Sequence, residues 1–169
     1  MSTLTKTTFF FAFFICLFCK TSKAQNSAVT TRAQNVFVEL GGPGLLLSAN
    51  YDTRFAQRRD GIGGRLGAGY LSLDNNSILT IPLQVNYLLG KKNKYFELGI
   101  GYTFINTNGN DNEDYFSLDD ASGGLGTMTF GYRYQPEDGG FHFRAAINPI
   151  FNSSGFFPFF GGIGLGYTF

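Results

Sequence analysis

The sequence predicts an all-β fold: an eight-stranded antiparallel up-and-down β-barrel of the transmembrane kind. Three observations lead there. Eight segments from residue 35 onward alternate with a period of two, as strands do. Their polarity runs against the soluble habit, with long aromatic and aliphatic side chains on one face and charges or bare glycine on the other. After residue 24 no apolar run is long enough for a membrane helix, so a mature chain that enters a membrane must do so as a closed barrel.

Composition agrees. Aromatic residues make up 17% of the 169 residues and glycine contributes 23, while charged residues reach 15%. That is strand and turn material, enough for one domain and too apolar for disorder. The N-terminus reads as a secretory signal: Lys6, then the apolar run Phe9 to Phe18, then Ser22-Lys23-Ala24 as a cleavage site. Lys20 and Lys23 argue against an uncleaved anchor, and Phe18 before Cys19 argues against lipoprotein processing. The expected organisation is a signal peptide over 1–24, a periplasmic lead-in over 25–34 and a barrel domain over 35–169. Cys16 and Cys19 leave with the signal, so no disulfide, thiol nucleophile or cysteine metal site is expected. Without Lys6, Lys20 and Lys23, ten basic residues face twelve acidic ones, a balance that offers nothing to nucleic acid.

Taken in order, the first strand is Asn35 to Gly41, with Val36, Val38 and Leu40 opposite Glu39. The second, Leu45 to Phe55, alternates most clearly: Leu45, Leu47, Ala49, Tyr51 and Phe55 face one way, Ser48, Asn50, Asp52 and Arg54 the other. A helix would scatter those four polar residues, whereas a strand stacks them in one row. Apolar parity shifts across Gly41-Gly42-Pro43-Gly44, which predicts a turn there. The third strand, Gly61 to Leu73, sets Ile62, Leu66, Ala68 and Tyr70 against Arg65, Gly67 and Gly69. The fourth, Ile78 to Leu89, contains Pro82, which predicts a bulge or a late start. The fifth, Tyr95 to Asn106, points Glu97 and Thr103 inward, and the sixth, Gly124 to Gln135, does the same with Thr127, Thr129 and Arg133. The seventh, Phe141 to Phe151, turns His142, Arg144 and Asn148 inward.

The eighth, Phe157 to Phe169, carries Phe157, Phe159, Ile163, Leu165, Tyr167 and Phe169 on one face and Gly162, Gly164, Gly166 and Thr168 on the other. With Phe169 in the periplasm, the periplasmic turns are Ala56 to Asp60, Gly90 to Asn93 and Pro136 to Gly139, all short. The outer loops are Gly42-Pro43, Asp74 to Asn76, the long Thr107 to Gly123 and Asn152 to Phe156. This orientation gathers Tyr51, Phe55, Tyr87, Phe96, Tyr132, Tyr134, Phe141, Phe143, Tyr167 and Phe169 into an aromatic belt at one rim.

The inward rows hold Glu39, Asp52, Arg54, Arg65, Glu97, Arg133, His142 and Arg144. Buried charges persist when paired, and eight strands leave an interior that side chains can fill. The expectation is a charge network that plugs the lumen, with inward glycines making room for arginines. A narrow pore is the competing reading. His142 is the one histidine, and no G-x-S-x-G is present, so a lipid-modifying enzyme is the minor alternative and no catalytic residue is assigned. The segment from Asn106 to Asp120 holds five acids without an EF-hand glycine, so no metal ligand is assigned.

With this alternation and the ending Gly164, Tyr167, Phe169, the chain resembles the small eight-stranded outer-membrane barrels of the OmpA and OmpX type. Gly164, Tyr167 and Phe169 fit the C-terminal signal that barrel-assembly machinery reads in such proteins, with Gly162 where a polar residue is usual. The resemblance implies a monomer in the outer membrane, no cofactor, no enzymatic activity, contact with outer-membrane lipids and lipopolysaccharide, and a role in envelope integrity or surface contact.

Overall fold

A computed structural model of the chain describes residues 32–73, 76–108, 124–153 and 155–169. The expected signal peptide, the lead-in up to residue 31 and the acidic segment 109–123 lie outside the described residues.

The strands are β1 (Gln34–Gly41), β2 (Leu47–Arg54), β3 (Gly61–Leu73), β4 (Asn76–Lys91), β5 (Lys94–Asn108), β6 (Leu125–Tyr134), β7 (Gly140–Ile147), β8 (Ile150–Phe151), β9 (Phe156–Phe157) and β10 (Gly161–Thr168). All pairings are antiparallel. Seven neighbours follow in sequence or nearly so, and β10 returns to β1 to complete the wall. Among the described residues the result is a closed eight-stranded barrel, in which β8 and β9 prolong the β7 and β10 side. A circuit of paired residues runs Ile150, Thr127, Gly101, Gln84, Arg65, Asp52, Asn35, Thr168, Gly140. It comes back ten residues earlier in the chain, the stagger that closing a sheet requires.

Parity follows the hydrophobic pattern throughout. Val36, Val38, Leu66, Leu83, Ile100, Phe130, Ile163 and Leu165 are exposed, while Glu39, Asp52, Arg65, Glu97, Arg133 and Arg144 are buried. No helix among the described residues is long and apolar enough to cross a membrane, which says nothing about strands. The belt aromatics occupy the outer face of the half that carries the short turns, and Tyr167 and Phe169 lie with ring centroids 5.1 Å apart.

Four expectations need correction. Pro82 makes neither a bulge nor a late start. β4 begins at Asn76, and the β3–β4 register is unchanged from Leu66↔Leu83 to Gly69↔Thr80, with only the two intervening pairs missing. A proline offers no N–H, so the ladder skips, and Gly67 opposite supplies space: a Cβ there would come within 2.9 Å of the Pro82 ring. The seventh and eighth strands are each broken, at Asn148-Pro149 and at Pro158 to Phe160, where the prolines remove ladder donors. The upper piece β8 pairs with β6 and with β9 instead.

The Gly41 to Gly44 turn is not an outer loop. Gly42–Gly44 forms a 3-10 turn buried in the barrel mouth. Positive φ at Gly41 (73°) and Gly42 (66°) sends the chain inward, as only glycine does without strain. Leu45, expected on the outer face of β2, leaves that row: φ 71° and ψ −62° with a Leu46 N–H to Gly44 carbonyl bond of 3.0 Å make it the centre of a strained γ-turn.

Candidate functional site: a charge-filled lumen

Seven ionised side chains fill the middle of the barrel, contributed by the inward parity of six strands, with Asp52 and Arg54 both on β2. They form one alternating chain. Arg65 bonds Glu39; Glu39 also bonds Arg144; Arg144 bonds Glu97 at 3.2 Å. Glu97 bonds Arg133 at 2.9 Å, Arg133 bonds Asp52 at 2.7 Å, and Asp52 bonds Arg54 at 2.6 Å. The side chains are 0–1% exposed, so these are buried pairs that water does not screen.

Neutral groups take up much of the remaining bonding capacity. Asn86 donates to Asp52 at 2.5 Å and accepts from Arg54 at 2.6 Å. Arg54 also donates to the Gly61 carbonyl, and Asn50 accepts from Arg65 Nε at 3.0 Å. Nearer the loop end, Gln84 donates to Thr129, which donates to Asn148.

Glycine decides where long side chains can lie. Gly164 of β10 sits between Arg144 and Glu39 in register, and a Cβ there would meet Arg144 Cγ at 2.9 Å. Gly99 lies under Gln84, and Gly166 under Phe37. Gly63, outside the inward glycines singled out from sequence, faces the Arg54 guanidinium. The three residues expected to form an assembly signal are thus split by face: Gly164 inward beneath Arg144, Tyr167 and Phe169 outward.

Of the eight lumen residues read from sequence, the structure joins seven through ion pairs and leaves His142 aside. His142 is fully buried, neither ring nitrogen has a hydrogen-bond partner, and its ring lies 5.1 Å from that of Phe37. Its neighbour Phe37 shares inward parity with Asn35 and Glu39, and its apolar ring gives no polar signal in the sequence. It is 2% exposed, with Arg65 Cζ 4.9 Å and Arg144 Cζ 5.6 Å from its ring centroid, a cation–π arrangement within the polar interior.

Both ends are capped. At the loop end, Thr80 donates to the Gly44 carbonyl at 2.9 Å and Thr103 to the Pro43 carbonyl at 2.6 Å. Ile105 and Leu125 pack with Leu45, Ile78 and Ile150 into a small apolar cluster. At the other end the β2–β3 turn reaches the β6–β7 connection: Arg59 donates to the Pro136 carbonyl, and Gln135 donates to the Arg59 carbonyl at 2.9 Å. Asn35 then links Gln135 to Thr168. Burial lowers the Arg59 pKa, while Asp60 on the same turn is held below the usual carboxylate range by its hydrogen bond from Arg58.

Chemically, the arrangement stores paired charge. Each carboxylate lies between two arginines, and His142 has no carboxylate or hydroxyl bonded to either nitrogen, as a general base in a triad would have. Compared with protein-family models, curated proteins and solved structures, the chain matches none.

Proposed function

We propose that this chain is an outer-membrane β-barrel of a Gram-negative envelope, non-enzymatic, with a structural or surface-contact role and a lumen plugged by charge. The observation that carries the reading is the inversion of polarity. The side chains of four arginines and three carboxylates are at most 1% exposed, whereas Leu40, Phe55, Tyr70, Phe141, Ile163 and Phe169 are more than half exposed around the outside. Hydrocarbon is the solvent in which that distribution is favourable, and a closed wall leaves no unpaired edge within it. The aromatic rim suits the interface between acyl chains and headgroups. In this reading the partners are outer-membrane lipids, lipopolysaccharide and the barrel-assembly machinery, and the protein acts as a monomer without a cofactor.

Cell fractionation with gel electrophoresis of unheated and boiled samples tests it. The expected result is recovery in outer membranes and faster migration before boiling; recovery as a soluble periplasmic protein overturns the reading. A lipid-modifying enzyme is the alternative that His142 keeps in view. Turnover of lipid A or phospholipid by the purified barrel, lost in His142→Ala, would replace the non-enzymatic assignment. A narrow pore is the other alternative, and its signature is conductance in planar bilayers that changes in Arg133 or Arg144 variants; the capped, filled lumen favours none.

A further inference from the structure

The alternating chain of charges begins and ends on arginine. Among the described residues its members are Arg54, Arg65, Arg133 and Arg144 against Glu39, Asp52 and Glu97, so one positive charge is left over. An arginine does not relieve this by losing its proton. A protonated carboxylate would enlarge the excess, and His142 can only add to it. Asp60, on the β2–β3 turn beyond the wall, has its two oxygens engaged by Arg58. An unbalanced cation in a water-excluded interior is strongly disfavoured.

Both terminal arginines leave one buried nitrogen without a partner, Arg54 its Nε and Arg65 its Nη1, and Arg54 has its two other nitrogens bonded to Gly61, Asp52 and Asn86. Arg65 is bonded through Nε and Nη2 to Asn50 and Glu39, but its buried Nη1 has no partner. Its guanidinium lies on one side of Phe37, whose ring also meets His142, a second buried side chain with unpartnered nitrogens. A neutral imidazole keeps one N–H to donate.

We propose that the closed lumen binds one small monovalent anion, a halide, at the free edge of Arg65. A halide is a sphere that accepts hydrogen bonds from any direction, so it can bond an Arg N–H without the planar geometry a carboxylate demands. The site goes beyond the envelope role and does not depend on it, since it follows from the closed interior whatever surrounds the wall.

Bromide is the probe. The full chain is purified in detergent, equilibrated with bromide, desalted and assayed by elemental mass spectrometry, with electrophoretic migration reporting the fold. The wild type should carry about one bromide per chain, enough to neutralise the leftover charge. Asn50→Asp adds a fourth carboxylate where Arg65 already donates, and Ser48 Oγ, now an acceptor from Asn50, can turn to donate to it. That variant should carry almost none. Its melting temperature should lose the rise with bromide concentration that the wild type shows, as linkage requires. Arg65→Gln, which removes the excess cation instead, should also lose bromide and serves if Asn50→Asp does not fold. A folded wild type without bromide, or a folded variant of either kind that keeps it, overturns the proposal.

Discussion

Arg144 of β7 reaches Glu39 of β1 across a whole intervening strand. Gly164 of β10 pairs with Arg144 on one side and with Glu39 on the other, and the arginine stem lies over its bare Cα. Gly164→Ala should therefore act as an overpacking substitution, destabilising by about 1–3 kcal/mol. The check is the urea midpoint in detergent, and an unchanged midpoint would show that the stem can lie elsewhere.

Arg133 joins two carboxylates, Asp52 and Glu97, in the middle of the chain of charges. Arg133→Met leaves both acids buried with one partner fewer, and the expected loss is about 3–5 kcal/mol. Arg58→Gln, which breaks the exposed pair with Asp60, should lower the midpoint only slightly, far less than Arg133→Met does. Equal effects from the two variants would mean that the lumen is wetter than its burial indicates.

Leu45 holds φ 71° in a γ-turn where a side chain is strained. Leu45→Gly relieves that strain, worth about 1–3 kcal/mol, but deletes an apolar contact with Ile105 and Leu125. Melting of Leu45→Gly against Leu45→Ala, which loses the same apolar contact but keeps a Cβ at positive φ, separates the turn from the lost contact. The backbone term should prevail, so the glycine should raise the melting temperature.

Asp60 should titrate below the ordinary carboxylate range because Arg58 donates to it. A folded pKa lower than the unfolded one means that this contact supports the fold at neutral pH and ceases to do so as pH falls through the folded value. NMR titration of Asp60 checks it, and Arg58→Gln should return the carboxyl to its usual range. No upward shift in that variant would assign the lowering to the turn backbone.

Which face each residue takes was legible from sequence because side-chain parity is a local property of an extended chain. Ser48, Asn50, Asp52 and Arg54 announced themselves in one row, and so did Arg133 with Thr127 and Thr129. Who bonds whom was not legible. Asp52 meets Arg133 across the lumen only at the stagger of the closed wall, which no single strand encodes. The breaks at Pro149 and Pro158 had a visible cause, yet whether a proline ends a strand or merely skips a rung depends on its neighbour, as Gly67 opposite Pro82 shows. The inward turn at Gly42 is a matter of backbone dihedrals that a Gly-Gly-Pro-Gly run permits without choosing. Phe37 and Ile105 could have been found by extending the parity of Glu39 and Glu97 to apolar residues.

The reach of Arg144 over Gly164 has a consequence for biogenesis. Glu39 belongs to the earliest strand of the barrel, one of its two cationic partners is on β3, and the other arrives only when the C-terminal strands zip against the N-terminal one. A half-assembled, open sheet therefore leaves Glu39 with Arg65 alone, its second arginine still missing at the seam. Sealing the seam and giving that acid its second arginine are therefore the same step, so closure of the cylinder and completion of its internal charge chain are coupled.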